Sequence, residues 1–347
     1  MIKWWQYILF PFAVLYNATT RFRNHLYNIE YKPSFQFETN VICVGNLAVG
    51  GTGKTPAVMY LVNHLLQNNR KVAILSRGYG RRTRGFRIVD SQDNASTVGD
   101  EPSIFYDYFK DQAMVAVGED RALAIPRILF ERPDTDTVVM DDGFQHRQVR
   151  PSLSIILTTY DRLFYHDFVM PVGLLRESRV NLSRADVVVV TKCPDTLTQE
   201  ERSTINSQIR EYKSNIPVFF AEVSYGQLQP VPKNETKPRK KIILVTSIAN
   251  TEALIARVNA EFEIVRHFKY RDHYKFKESD LLNWSESSRR QNASIITTEK
   301  DFVKIRELDG FSALDLFVWP IEMKIIDREE DFLKIIDDSL KDYSQTE

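Results

Sequence analysis

The sequence predicts an α/β protein whose mostly parallel sheet is covered by helices on both faces, followed by a second, smaller α/β unit. Short β-prone runs recur along the chain, and they are apolar throughout rather than alternating with polar residues. Helix-periodic segments lie between several of these runs. The length of 347 residues suits about two domains of ordinary size.

The first unit carries six of the apolar runs and one clear amphipathic helix. The strand-like runs are 41–44, 72–75, 138–140, 153–157, 187–190 and 218–220. Apolar residues recur at the spacing i, i+3, i+4, i+7, i+8, which predicts one apolar face of a helix. They are Val58, Leu61, Val62, Leu65 and Leu66. We therefore predict a first domain over 31–226.

A proline- and charge-rich stretch, 227–241 (QLQPVPKNETKPRKK), interrupts the pattern and predicts a linker or hairpin. The alternation then resumes, which predicts a C-terminal α/β domain over 242–347. Its expected elements are strands at 242–245, 264–268, 295–298 and 316–319, and helices from about 252, from about 278 and from 328.

The N-terminal 30 residues form a separate segment. No charged side chain occurs from Trp4 to Thr20, the stretch is rich in aromatic residues, and Arg21 and Arg23 follow it. A signal peptide would need a clean cleavage site, and a spanning helix would need about 20 apolar residues. Aromatic residues flanked by cations favour a helix lying on or dipping into a membrane over a helix buried against the domain.

Composition excludes two broad classes. Hydrophobic residues make up 43% of the chain and charged residues 27%, which excludes global disorder. Lys plus Arg and Asp plus Glu both number 46, and this balance argues against a bulk polyanion such as duplex DNA, although not against a local basic patch. Cys43 and Cys193 make neither a zinc spacing nor a disulfide framework, so we expect two buried thiols in a reducing compartment.

A glycine-rich segment, GNLAVGGTGKTP, lies between the first predicted strand and the amphipathic helix, which is the context of a phosphate-binding loop. The expected phosphate-binding residues are Gly50, Gly51, Thr52, Gly53, Lys54 and Thr55. Backbone N–H groups and the helix N-terminus favour an anion, Lys54 can bridge the outer phosphates, and Thr55 can hold Mg²⁺. The strict pattern places Gly where this chain has Ala48.

An acidic strand end follows at Asp141 and Asp142. Phosphate-loop enzymes hold Mg²⁺ with carboxylates at such a position, and adjacent residues of a strand point to opposite faces. We predict a metal role for both acids, with a different function for each, the alternative being an ordinary turn with solvated acids. His146, in the same loop, is by itself only a weak candidate for a functional residue.

A second strand end, TKCPD at 191–195, is similar to the guanine-reading motif of GTPases but has one residue too many before Asp195. This similarity leaves a second class of protein as an alternative, namely a phosphate-loop GTPase or metallochaperone-like switch that binds a partner protein. A non-enzymatic, membrane-associated nucleotide-binding module is a third possibility. Transfer of phosphate from ATP to a lipid would exclude both.

Taken together, the motifs resemble the tetraacyldisaccharide 4′-kinase (lipid A 4′-kinase) family. The matching segments are GNLAVGGTGKTP at 45–56, SRGYGR at 76–81, GDEP at 99–102, DDGFQHR at 141–147, LLRE at 174–177, DHY at 272–274 and TTEKD at 297–301. The resemblance implies two α/β/α lobes joined by a short β linker, ATP and Mg²⁺ as cofactors, and a lipid A disaccharide 1-phosphate as the substrate. It further implies a peripheral location on the cytoplasmic face of the bacterial inner membrane, with neither nucleic acid nor a stable protein partner.

Several site residues are implied by this resemblance alone. Asp100 is the expected general base and His273 its partner, whereas without the family Asp100 would equally suit a helix N-cap. Arg176 and Glu177 are expected near the nucleotide phosphates and magnesium. Contacts to the substrate headgroup are expected from Arg77, Arg121 and His146.

Overall fold

The computed structural model describes residues 4–231, 237–248, 250–272 and 274–341. Its strands are β1 (Asn40–Asn46), β2 (Val72–Ser76), β3 (Arg87–Ile88), β4 (Met114–Val117), β5 (Thr137–Asp141), β6 (Leu153–Thr159), β7 (Val187–Thr191), β8 (Val218–Tyr225), β9 (Gln229–Pro230), β10 (Lys241–Thr246), β11 (Glu263–Lys269), β12 (Ser294–Thr298), β13 (Leu316–Trp319) and β14 (Ile321–Ile325). Its α-helices are α1 (Trp4–Asn28), α2 (Lys54–Gln67), α3 (Ala95–Val98), α4 (Asp100–Phe109), α5 (Arg121–Glu131), α6 (Gln199–Arg210), α7 (Glu252–Glu261), α8 (Glu278–Gln291), α9 (Glu299–Ile305) and α10 (Glu329–Ser339).

The first lobe is built on a nine-stranded sheet in the order β14-β8-β7-β6-β1-β5-β2-β4-β3. All neighbouring strands are parallel except at the two edges, where β3 and β14 run antiparallel to their neighbours. Strand β1 lies near the centre between β5 and β6. This order places the carboxyl ends of β1 and β5 side by side, which is where a parallel sheet binds its ligands.

Helices cover both faces of this sheet, as the uniformly apolar strand runs predict. Alternate residues of β1 enter different cores: Ile42 packs with α2, α4 and α10, whereas Cys43 packs with α5 and α6 on the other face. The predicted face of α2 is confirmed, since Val58 and Leu61 are buried. Cys43 and Cys193 are both free and buried, as expected.

The second lobe has a five-stranded sheet in the order β11-β10-β12-β13-β9. Helices α7, α8 and α9 lie between its parallel strands along the chain. Its two cores are centred on the fully buried indoles of Trp284 and Trp319. The prediction of a two-lobed α/β protein is therefore confirmed.

The second lobe does not extend over the whole predicted C-terminal domain, 242–347. Strand β14 pairs antiparallel with β8 in the first sheet, and Phe332 of α10 is buried in the first lobe's core. Strands β8 and β14 continue into β9 and β13, which pair in the second sheet, so two adjacent chain segments connect the lobes. Local sequence cannot reveal this return, because a strand's partner is set by topology. Residues 232–236 of the predicted linker lie outside the described residues.

Helix α1 spans 25 residues and contains Pro11. One face contacts the first lobe through Ala13 and Asn24, which are buried. Large apolar side chains are exposed elsewhere around the helix, namely Ile8, Phe10, Phe12, Val14, Leu15 and Phe22. Among the described helices, none combines the length and apolar character needed to cross a membrane. Membrane association of α1 therefore remains a prediction.

Candidate functional site

The phosphate loop connects the end of β1 at Asn46 to the start of α2 at Lys54. Gly50 and Gly53 have φ values of 111° and 82°, a region that L side chains rarely adopt, so glycine is required at both positions. Gly53 is the N-cap of α2 and supplies no side chain, which leaves the first N–H groups of the helix available to an anion. Ala48 pairs with Leu175 in an isolated antiparallel bridge and does not have a positive φ, so the backbone at this position does not require the glycine of the strict motif.

Neighbouring strand ends fix the shape of this loop. Asn46 Nδ2 donates to Thr52 Oγ1 at 2.9 Å, and Thr191 Oγ1 donates to the carbonyl oxygen of Thr52 at 2.8 Å. Lys192 Nζ donates to the carbonyl oxygen of Gly51 at 2.6 Å. The 191–195 segment therefore supports the phosphate loop. Sequence reasoning missed Lys192, since only the position of β7 in the sheet, two strands from β1, brings it to the loop.

The two acids at the end of β5 have different surroundings. Asp141 is buried, and its Oδ2 accepts a hydrogen bond from Ser76 Oγ at 3.0 Å. Burial, followed by the negative charge of Glu101, raises the pKa of Asp141 to about 6. Within the described residues, Asp141 Oδ1 is buried and makes no hydrogen bond. A buried carboxylate oxygen without a donor is a candidate cation ligand.

Asp142 faces two cations instead. Its Oδ1 lies 3.7 Å from Lys54 Nζ, and both of its oxygens accept from Arg176 Nη1 at 3.0 and 2.9 Å. Burial by itself would raise the pKa of Asp142, but Lys54 and Arg176 outweigh it and hold the pKa below its usual value. Asp142 is therefore an ionised partner of the phosphate-loop lysine at neutral pH.

The 174–177 segment brings Arg176 to this site. Its backbone runs beside the phosphate loop, with Val49 N donating to Leu174 O at 2.8 Å and Arg176 N donating to Leu47 O at 2.7 Å. Glu177, predicted to lie near the metal, has no exposed surface, and its Oε2 accepts from Asn24 and Arg184, each at 2.7 Å. The structure thus brings Arg176 to the acids and engages Glu177 with helix α1.

The residues present fit Mg²⁺ bound together with a nucleotide. Asp141 supplies an unpartnered buried oxygen, and Thr55 lies in the first turn of α2. No group of three or more His, Cys, Asp or Glu side chains that could hold a metal ion occurs in the described part of the chain. An ion here would therefore take its remaining ligands from phosphates and water, as Mg²⁺ commonly does.

Arg121 and His146, predicted to contact the substrate headgroup, lie together behind Asp141. Arg121 is 2% exposed and donates from Nη1 to the carbonyl oxygen of Gly118 at 2.8 Å. His146 Nε2 accepts the backbone N–H of Arg121 at 3.1 Å. Burial, then the Arg121 cation, lowers the pKa of His146 to about 4, so the imidazole is neutral at pH 7. Arg77 is exposed on the adjoining loop.

Asp100 is the first residue of α4 and follows Gly99, whose φ is 101°. A Cβ at Gly99 would lie 3.0 Å from the carbonyl oxygen of Tyr79, so the entry into α4 requires glycine. The next residue, Glu101, lies 3.5 Å from Lys300 of α9 in the second lobe. The predicted partner His273 lies outside the described residues.

A glycine-rich loop between a central parallel strand and a helix, beside an acidic strand end, defines a phosphate-loop nucleotide-binding protein. A family model described as tetraacyldisaccharide-1-P 4′-kinase matches residues 5–341. The chain belongs to this family, and is therefore a kinase. The GTPase-like switch is accordingly not favoured.

Individual relatives agree over almost the whole chain. The chain is 38% identical to a tetraacyldisaccharide 4′-kinase of Flavobacterium johnsoniae over 335 residues, covering 94% of both chains. It is 36% identical to one of Bacteroides fragilis over 346 residues, covering 95% of this chain and 90% of the relative. Its fold is similar to that of LpxK from Aquifex aeolicus in complex with ATP. The TM-score is 0.74 at 28% identity, over 97% of this chain and 99% of the other.

Proposed function

We propose that this protein transfers the γ-phosphate of ATP to the 4′-hydroxyl of a tetraacylated glucosamine disaccharide 1-phosphate, a precursor of lipid A. One observation carries the proposal: the phosphate loop presents Lys54 to Asp142 beside the unpartnered carboxylate oxygen of Asp141. That arrangement suits a nucleotide with its metal. Similarity to named 4′-kinases over almost the whole chain supplies the acceptor.

The loop residues bind the nucleotide phosphates in this proposal. The N–H groups of Gly50, Gly51 and Gly53 face the phosphates, and Lys54 neutralises the charge that develops on them. The N–H of Thr52 instead donates to the carbonyl oxygen of Gly50 at 3.0 Å, which tightens the loop. Thr55 and Asp141 would hold Mg²⁺, which when bound would neutralise negative charge on the nucleotide phosphates. Asp142 keeps Lys54 and Arg176 in place.

Asp100 is the proposed general base. A sugar hydroxyl is a weak nucleophile, so a carboxylate that accepts its proton assists attack on the γ-phosphorus. Its placement supports this role, because the neighbouring Glu101 is close enough to raise the pKa of Asp141. The start of α4 therefore lies near the acidic strand end. That His273 orients Asp100 stays a prediction from the family pattern.

Replacing Asp100 with Ala tests the base. We expect kcat to fall about 100- to 10,000-fold with a much smaller change in the KM for ATP, because a base acts in the transition state. Asp111→Ala is a matched control, since Asp111 lies in the turn after α4. A variant in which only the KM for ATP rises would make Asp100 a binding residue.

The substrate headgroup is expected near Arg77, Arg121 and His146. Buried Arg121 donates to protein carbonyl groups, so it fixes the wall of the site, whereas Arg77 is exposed and able to contact a phosphate directly. The positive charge of Arg77 helps to lower the pKa of His146, so these groups are neighbours.

The acyl chains of the proposed substrate favour a reaction at a membrane surface. The exposed apolar side chains of α1 suit a helix at the cytoplasmic face of the bacterial inner membrane, where the protein would be peripheral. Phe10 and Phe12 are among its exposed residues. Replacing both with Ser should lower the fraction that sediments with anionic phospholipid vesicles. Unchanged sedimentation would contradict this placement.

Transfer of radiolabelled phosphate from ATP to tetraacyldisaccharide 1-phosphate tests the function directly. The expected product carries the label on the lipid and depends on added Mg²⁺. Release of inorganic phosphate without lipid labelling, or a preference for GTP, would instead support a nucleotide-dependent switch.

A further inference from the structure

Helix α1 contacts the segment that carries Arg176. The Tyr16 hydroxyl donates to the carbonyl oxygen of Arg176 at 3.0 Å, and Asn24 Nδ2 donates to Glu177 Oε2 at 2.7 Å. Tyr16 and Asn24 are eight positions apart, so they lie on the same side of the helix. The 174–177 segment is thus held between α1 on one side and the phosphate loop on the other.

The contact between Asn24 and Glu177 is a buried one. Asn24 is 3% exposed and Glu177 is fully buried. The other donor to Glu177 is Arg184, whose guanidinium lies 4.1 Å from the centre of the Phe144 ring. Removing a donor from a buried carboxylate is costly, because the charge loses a hydrogen bond that water does not replace. The position of Glu177 therefore depends strongly on Asn24.

The position of Glu177 affects the phosphate site through the residue that precedes it, Arg176. Arg176 directly precedes Glu177, and its guanidinium holds both oxygens of Asp142. Asp142 in turn faces Lys54 at 3.7 Å. A shift of Glu177 would move the Arg176 guanidinium and loosen its two hydrogen bonds to Asp142.

We propose that Asn24 is a positioning residue for phosphoryl transfer, acting through Glu177 to hold the Arg176 guanidinium on Asp142. This inference rests on the proposed kinase function. It gives α1 a second role, because the inner face of the helix orders the phosphate site independently of what its exposed face contacts.

The test compares Asn24→Leu with Asn28→Leu, the same change one turn along α1. Asn28 is exposed and accepts from Arg147, which lies near enough to Glu177 to interact with its charge but, among the described residues, donates no hydrogen bond to it. Kinetics use ATP and tetraacyldisaccharide 1-phosphate dispersed in detergent micelles, so that membrane binding does not limit the rate. We expect Asn24→Leu to lower kcat about tenfold or more while the KM for the lipid stays within about twofold. Asn28→Leu should match the wild type.

A double-mutant cycle separates positioning from a general loss of structure. If Asn24 acts through Glu177, adding Asn24→Leu to Glu177→Gln should lower kcat much less than Asn24→Leu does in the wild-type background. Asn24→Gln, which keeps the amide donor, should recover part of the lost kcat. Thermal unfolding of each variant gives the folded fraction by which kcat is corrected, and Asn24→Ser replaces Asn24→Leu if the latter fails to fold.

Three results would overturn the proposal. First, Asn24→Leu could match Asn28→Leu in kcat. Second, the fold-losses in kcat caused by Asn24→Leu and Glu177→Gln could multiply in full in the double variant. Third, only the lipid KM and vesicle binding could change. A wild type that labels no lipid would refute the proposed function instead. In that case, ATP affinity measured by calorimetry decides the role of Asn24, with weaker binding expected for Asn24→Leu and equal binding overturning it.

Discussion

Each lobe buries an aspartate near a lysine close to where a parallel strand ends, Asp141 as the last residue of β5 and Asp301 in the first turn of α9 after β12. The two carboxylates differ in how many of their oxygens accept hydrogen bonds. In the second lobe, Asp301 accepts from Ser247 N and Thr298 Oγ1, both at 2.9 Å, from Ser247 Oγ, and from Lys304 at 3.0 Å. In the first lobe, Asp141 has Ser76 on one oxygen and, among the described residues, nothing on the other.

The difference separates a structural carboxylate from a candidate ligand-binding one. A buried charge whose hydrogen bonds are complete stabilises the strand end and helix start around it. A buried carboxylate with an unused oxygen is destabilising by itself, and its pKa rises because burial disfavours the ionised form. Such a group is expected where a ligand later supplies the missing partner.

The largest effect is expected when the lysines of the two lobes, Lys54 and Lys304, are replaced and compared. Lys54→Ala should lower kcat about 100- to 1,000-fold with little change in thermal stability, because its positive charge acts on the transferring phosphate. Lys304→Ala should instead lower the unfolding temperature while the folded enzyme keeps most of its kcat. The measurements are steady-state kinetics and thermal unfolding of both variants. Near-normal turnover of Lys54→Ala would contradict the distinction between a functional lysine in the first lobe and a structural lysine in the second.

Replacing the aspartates with asparagine should give stability changes of opposite sign. Asp301→Asn leaves Lys304 without its buried charge partner, and we expect a loss of about 3–5 kcal/mol in the free energy of unfolding. Asp141→Asn removes a poorly solvated charge, keeps an acceptor for Ser76, and should raise the unfolding temperature by roughly 2–4 °C. Denaturant and thermal unfolding at pH 7 without Mg²⁺ test both. A stability loss in Asp141→Asn would show that its carboxylate is already satisfied.

The pH dependence of stability gives the smallest effect. The pKa of Asp141 is about 6 in the folded protein, above its ordinary value of 3.8. The folded state therefore binds more protons than the unfolded state between about pH 4 and pH 6, so this group's contribution to stability falls as pH rises through that window. Unfolding temperatures of the Mg²⁺-free wild type and Asp141→Asn should converge near pH 4 and diverge by pH 6. A constant difference would contradict the raised pKa.

Local sequence was sufficient for the phosphate loop and the acidic strand end. GNLAVGGTGKTP needs positive φ at particular glycines and a helix directly after them, and both requirements are properties of neighbouring residues. The apolar runs predicted strands buried on both faces for the same reason. The contacts of Lys192 with Gly51 and of Asn24 with Glu177 join residues 141 and 153 positions apart, and no local pattern signals them.

The sequence by itself determined the two α/β lobes, the phosphate loop, and the family to which the chain belongs. Periodicity, glycine placement and motif spacing are properties of the linear sequence, so they can be recognised without the structure. Only the tertiary structure decided that β14 and α10 return to the first lobe and that Glu177 binds helix α1. It also decided that Asp141 keeps an unused oxygen while Asp142 forms ion pairs with Lys54 and Arg176. These outcomes depend on which strand ends and helix faces become neighbours, and strand order and packing set those neighbours.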